Sequence, residues 1–183
     1  MQPTQRRLFY GLILLLGLVW IALSAATPDT VTAGRIPAPQ AGFLAPDLNL
    51  TTLDGQTVRL SDLRGQPVVI NFWASWCPPC RAEMPALQRV HDEYAAQGVV
   101  ILIVNATAQD SLLDAQAFLQ SYNLTLPVPL DPDGKAMQAY QVRSLPSTFF
   151  VGRDGVIREV VIGGPMAEAL LRTRVEQLLQ EQP

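Results

Sequence analysis

The stretch NFWASWCPPCRAEMP, from Asn71 to Pro85, holds both cysteines of a 183-residue chain. Cys77 and Cys80 can form a structural staple, half of a metal site, or a pair that exchanges electrons with other disulfides. A staple across so short a loop would constrain the unfolded chain little, because loop-closure stabilisation grows with loop length. A zinc site takes about four ligands, and the chain offers two thiols and one histidine. His91 lies on the same predicted helix as Cys80, roughly 16 Å further along at 1.5 Å rise per residue. It cannot join the thiols in one ligand shell and reads as a half-exposed helix residue. Copper(I) accepts two thiolates, and that alternative stays open.

The placement of the pair favours redox chemistry. Pro67 to Ala74, PVVINFWA, is a near-continuous apolar run of the kind found in a strand buried on both faces. A helix from Pro78 to about Gln97, closed by Gly98, follows it, with Leu87, Val90 and Tyr94 on one face. Cys77 therefore falls at a strand–helix junction, where the partial positive charge of the helix N-terminus favours a thiolate. Cys80 follows one turn later, within reach of a mixed disulfide formed at Cys77. Pro78 occupies the first helical position, where a missing N–H costs nothing. Pro79 removes the next donor, which would otherwise point at the cap side chain. The Cys80 N–H is then the main donor left for the Cys77 sulfur. A less stabilised thiolate gives a more reducing couple, so the spacer argues for a reductase.

Three neighbours carry further expectations. Trp73 reads as core, whereas Trp76, next to the nucleophile, reads as a shield and substrate contact. Glu83 has two readings. As a solvated early-helix acid it is weakly favoured by the helix dipole. As a proton acceptor it stands three residues past Cys80 on a neighbouring helix face. In a pocket lined by Phe72 and Trp73 its pKa should rise, which suits a general base.

The elements that must position these groups are legible as a coarse pattern. Leu48 to Leu60 alternates around Asp54-Gly55, a hairpin signal, and Ser61 should cap a short turn after it. Val99 to Val104 is a second buried strand, and Asp110 to Tyr122 a helix with Asp110 as its N-cap. Val128 to Leu130 is short and extended, and Asp133 to Tyr140 a small helix. Thr148 to Val151 and Val156 to Ile162 are strands joined by a turn over Gly152 to Gly155. Pro165 to Gln180 is a closing amphipathic helix with Pro165 in its first turn. Helices between the middle strands imply parallel pairing, and the last hairpin adds antiparallel strands. The expected class is α/β, a mixed sheet flanked by helices. Unaided, Pro146 reads as a proline at a strand entry.

WCPPC after an apolar strand resembles the active site of thioredoxin-fold proteins, and the likeness runs from about Phe43 to Gln180. Pro85 matches that fold's active-site kink proline, and SLPST, Ser144 to Thr148, matches its cis-proline loop. The resemblance implies that Leu145-Pro146 is cis, faces the cysteines and docks substrate backbone. Two features narrow it. Cytoplasmic thioredoxins carry a buried aspartate where this chain has Asn71, and here the cysteines are followed by Arg81-Ala82-Glu83-Met84-Pro85. That pattern, the N-terminal hairpin and a central insertion near Asp110 to Leu130 are similar to the TlpA/ResA-type reductases. The resemblance implies a protein-disulfide reductase that keeps extracytoplasmic thiols reduced, those of apocytochrome c among them. It also implies a membrane thiol-reductant transporter as electron donor. No cofactor is expected beyond the Cys77–Cys80 disulfide, and no metal.

The rest of the chain sets the compartment and closes off other classes. A composition 49% hydrophobic and 16% charged supports a proper core, and a net charge of −3 gives no field for nucleic acid. Leu8 to Ala26 is free of charge and follows Arg6-Arg7. Its length matches a bilayer core at roughly 1.5 Å per residue. The arginines should remain in the cytoplasm while the domain crosses. A cleaved signal peptide is the competing reading, but the uncharged run exceeds the usual hydrophobic segment of about 7–15 residues. The expected organisation is an anchor over 1–26, a proline-rich tether over 27–42 and a thioredoxin-like domain over 43–183. The domain would then sit on the periplasmic side of a bacterial cytoplasmic membrane, single-pass with its N-terminus inside. A disulfide oxidase or isomerase and a copper-binding assembly factor are the alternatives. Peroxidase chemistry is disfavoured because nothing beside Cys77 resembles a peroxidatic threonine–cysteine site.

Overall fold

The computed structural model describes Ile13 and residues 36–181. The expected membrane anchor and most of the tether lie outside the described residues. Among those described, no helix is long and apolar enough to cross a membrane.

Two short strands, β1 (Asn49–Thr51) and β2 (Thr57–Arg59), form the N-terminal hairpin. The central sheet contains β3 (Val68–Trp73), β4 (Val100–Asn105), β5 (Ser147–Val151) and β6 (Ile157–Ile162) in the order β4-β3-β5-β6. β3 runs parallel to β4 and antiparallel to β5, and β6 is antiparallel to β5. The expected mixed sheet is therefore present. The helices are α1 (Pro78–Tyr94), α2 (Leu112–Ser121), α3 (Lys135–Ala139) and α4 (Glu168–Gln180).

β3 is the strand that carries the site, and every one of its side chains is buried. Its alternation divides them between two faces. Asn71 and Trp73 meet Glu83 of α1 and Phe118 of α2, while Phe72 packs against Tyr140 and Phe149. Burial on both faces explains the unbroken apolar run. α1 is held against α4 by Arg89–Glu168 at 2.6 Å and by the Tyr94 hydroxyl, which donates to Glu176 at 2.8 Å. A short 3-10 turn over Ala95–Gln97 extends α1, and Gly98 closes it at φ 83°. That left-handed conformation suits glycine, which has no Cβ to clash.

Three local expectations are corrected. Ser61 does not cap the turn over Leu60–Leu63; its N–H donates to the Asp47 carboxylate at 2.9 Å. Ser111, not Asp110, caps α2, accepting from the Asp114 N–H at 3.3 Å. The Asp110 carboxylate is drawn instead to stronger donors around Ser75. α4 begins at Glu168 with Ala167 as cap, so Pro165 precedes the helix. Met166 directs its N–H to Glu83, which holds this approach in a non-helical path. Val128 to Leu130 is short and extended as expected, bridging to Thr52 and Asn105, and the carbonyls of Pro127 and Pro129 accept from Ile103 and Asn105 at the β4 edge. The end of the predicted tether lies along the domain, with Gly42 N–H donating to the Ile157 carbonyl at 2.8 Å.

Candidate active site

Cys77 is the N-cap of α1, Pro78 and Pro79 fill the first two helical positions, and Cys77 and Cys80 are joined as a disulfide. The Cys80 N–H reaches the Cys77 sulfur at 3.3 Å. Proline at the second position leaves it the one backbone donor to that sulfur among the described residues. Both cysteines are buried, Cys80 completely.

The loop before Cys77 is clamped to the segment between β4 and α2. Asp110 accepts from the Ser75 N–H at 2.7 Å, from the Ser75 hydroxyl at 2.5 Å and from Asn105 at 2.7 Å. The Trp76 indole N–H donates to the Gln109 carbonyl at 2.8 Å while the ring stays 56% exposed. An exposed indole fixed at one end presents a rigid apolar face beside the disulfide.

Glu83 is buried, at 3% exposure, and is not a solvated helix acid. Its hydrogen-bond partners are Asn71 and Met166. Asn71 donates its side-chain amide to Oε1 at 2.7 Å, and the Met166 N–H donates to Oε2 at 3.0 Å. Burial raises the Glu83 pKa above the ordinary 4.5, while the Met166 and Asn71 hydrogen bonds act in the opposite direction. No hydrogen bond joins this carboxylate to either sulfur among the described residues.

The Leu145-Pro146 peptide is cis. The pairing of Ser147 with Phe72 places this loop at the end of β3 that leads into Cys77. Pro146 is buried and Leu145 half-buried at the core edge. The Pro146 carbonyl accepts from the Gly163 N–H at 2.8 Å. Gly164 separates the proline ring from the acid. A Cβ there would stand 2.7 Å from Pro146 Cγ and 2.9 Å from Glu83 Oε2. Glu83, Asn71, Pro146, Gly164 and Met166 thus form one cluster, and Trp76 with Gln109 and Asp110 another.

Sequence reasoning missed Ser75, Asn105, Gly164 and Met166. Only the Gly163-Gly164-Pro165 run signalled that backbone would approach closely there. A hollow of about 950 Å³ lies between the N-terminal hairpin and α2. Its lining contains neither cysteine nor Glu83, so the chemistry is elsewhere.

A mixed sheet flanked by helices, with a Cys-Pro-Pro-Cys disulfide capping a helix beside a cis-proline loop, defines a thioredoxin-fold thiol–disulfide oxidoreductase. The chain belongs to the AhpC/TSA family, which it matches over residues 41–160. It is 36% identical to the thiol-disulfide oxidoreductase ResA of Bacillus subtilis, across 91% of this chain and 90% of that one. The ResA of Halalkalibacterium halodurans is 33% identical across 97% of this chain and 98% of its own length. Among solved structures, a Chlorobium tepidum chain described as a thiol:disulfide interchange protein DsbE superposes with a TM-score of 0.70. That chain is 33% identical, with 76% of this chain and 98% of the other covered. A secreted Mycobacterium tuberculosis disulfide oxidoreductase, described as homologous to E. coli DsbE, gives a TM-score of 0.65 at 30% identity. There 71% of this chain and 95% of that one are covered. The protein is an oxidoreductase of this ResA and DsbE type.

Proposed function

We propose that the protein reduces disulfides in other proteins outside the cytoplasm, tethered to the membrane by the apolar run over residues 8–26. Disulfides formed by the thiols of apocytochrome c are the substrate class that its family likeness suggests. The Cys77 thiolate attacks a substrate disulfide, forming a mixed disulfide and releasing one substrate thiolate. The Cys80 thiolate then attacks the Cys77 sulfur, which closes the Cys77–Cys80 disulfide and releases the second substrate thiol. Two electrons pass to the substrate, and a membrane thiol-reductant transporter restores the dithiol.

Glu83, one turn past Cys80 on α1, accepts the Cys80 proton, because Asn71 cannot. Trp76, Leu145 and Pro146 hold the substrate chain at the disulfide. The compartment reading is supported by Arg6-Arg7 before the uncharged run, and by a relative described as secreted.

The observation that carries the reductive direction is the single N–H on the Cys77 sulfur. One donor stabilises a thiolate less than several would, which lowers the potential of the couple. Equilibration with glutathione tests it: a couple more reducing than roughly −200 mV is expected, and one above about −150 mV would mark an oxidase instead.

A further inference from the structure

Beside the disulfide lies a hollow of about 410 Å³, lined by Trp76, Pro78, Arg81, Ala82, Pro85 and Tyr122. Trp76 and Pro78 are the two neighbours of Cys77, so the hollow opens next to the sulfur that would bond a substrate cysteine. A chain covers at most about 3.5 Å per residue, so residues adjoining that cysteine must enter it. The walls are apolar or aromatic apart from Arg81, with Trp76 56% and Tyr122 48% exposed. Large aromatics left open together mark a contact surface.

Arg81 is the one charge in this lining. Its guanidinium sits 5.0 Å over the Phe118 ring, which fixes its direction and leaves its charge in place. Arg89, two turns further along α1, is by contrast paired with Glu168 at 2.6 Å. No carboxylate forms a salt bridge with Arg81 among the described residues. Arg81 also lines a second hollow, of about 420 Å³, together with Trp76, Phe118 and Asp114, and Asp114 forms no salt bridge with it among the described residues.

We propose that Arg81 selects substrate polypeptides that carry an acidic side chain within a residue or two of the reacting cysteine. The proposal rests on the protein-disulfide reductase reading and names the substrate chemistry of that same site. A cation fixed over Phe118, without a salt bridge and bordering the cleft beside Cys77, complements an acid beside a large apolar residue and repels a lysine there. Its effect falls on recognition, since Arg81 takes no part in electron or proton transfer.

Two disulfide-bonded peptides, identical except for Glu or Lys beside the cysteine, test this with the pre-reduced protein. At low salt the Glu peptide should react with a kcat/KM roughly three- to tenfold higher, and the gap should narrow at high salt. Arg81→Gln should bring the ratio near one and Arg81→Glu should invert it. Comparing two peptides on one protein cancels any change in thiol reactivity that the substitution causes. The salt dependence of the unaltered protein tests the idea without any variant. Equal rates in the unaltered protein, or a ratio that survives Arg81→Gln, would overturn this selection alone. Failure to reduce either peptide would remove the reductase reading and the selection with it.

Discussion

Asn71 in β3 donates its side-chain amide to Glu83 in α1 across 2.7 Å, and both residues are buried. An aspartate at position 71, as in cytoplasmic thioredoxins, would set two carboxylates against each other. Asparagine instead offers the amide that a carboxylate arriving from the helix requires. Strand and helix have in effect exchanged the acid, which now comes from one turn beyond Cys80. A second donor, the Thr148-facing side of the same amide at 2.9 Å, ties the pair to β5 and the proline loop.

Glu83→Gln should keep the fold and slow disulfide reduction by about 100-fold if the carboxylate takes the Cys80 proton. Stopped-flow reduction of a model disulfide at pH 7 measures it. An unchanged rate would leave Glu83 a structural role only.

The same substitution has a pH signature in stability. The folded Glu83 pKa lies above the ordinary 4.5 because of burial. In that window the native state binds more protons than the unfolded chain, so stability falls as pH rises from 4.5 through the folded pKa. Glutamine does not titrate, so the stability of Glu83→Gln relative to the parent should increase across that window. Urea unfolding at a series of pH values gives the curve. Parallel curves for the two proteins would show that burial does not hold a proton on Glu83.

Asn71→Leu removes one of the two hydrogen bonds that pull the Glu83 pKa down. The pKa should then climb further, and the acid limb of the pH–rate profile should move to higher pH, by about one unit for a lost charge-assisted bond. A limb that stays in place would detach Glu83 from the rate-determining proton.

How far the sequence disclosed this site depends on how local each interaction is. Cys77 as cap, Pro78 and Pro79 in the first turn, and the Cys80 N–H on the Cys77 sulfur all fall within four residues, so spacing and helix rules foresee them. Leu145-Pro146 was legible only through its likeness to a known loop; by itself it reads as a strand entry. Asp110 reads as a cap because Ser, Asp and Asn all serve there, yet its true partner Ser75 is 35 residues away. Met166 donates to Glu83 across 83 residues, and that pairing exists only after α4 packs on α1. No periodicity encodes such a contact. Pro165 as a first-turn residue failed for the same reason, because a tertiary acceptor claimed the N–H that follows it.

Gly164→Ala probes the gap between the proline loop and the acid. The added methyl carbon would lie 2.7 Å from Pro146 Cγ and 2.9 Å from Glu83 Oε2. Neither neighbour can retreat easily, since Pro146 is a rigid buried ring and Glu83 is held at both oxygens. The variant should lose about 1–3 kcal/mol of stability, the usual cost of overpacking. It should also reduce disulfides more slowly while its small-molecule thiol titration still counts two reactive cysteines. Stability and rate equal to the parent would mean that this gap is wider in solution.

Asp110→Ala tests whether the clamp on the active-site loop matters. It withdraws one acceptor from four donors: the Ser75 N–H, the Ser75 hydroxyl, the Asn105 amide and the adjacent Ser111 N–H. Hydrogen bonds to a charged group contribute about 1.5–3 kcal/mol each, but the two Ser75 donors can turn to water once freed. A loss of about 2–3 kcal/mol in urea unfolding is therefore expected. The local consequence is the sharper one. With Ser75 released, Trp76 keeps only its bond to Gln109, and the backbone entering Cys77 gains freedom. Asp110→Asn retains an acceptor for the Ser75 N–H and should recover most of the stability. Reduction rates should follow the same order, parent above Asp110→Asn above Asp110→Ala, if the loop must be held for attack at Cys77. Equal rates in all three, alongside the stability loss, would confine Asp110 to folding and leave the placement of Cys77 to α1 alone.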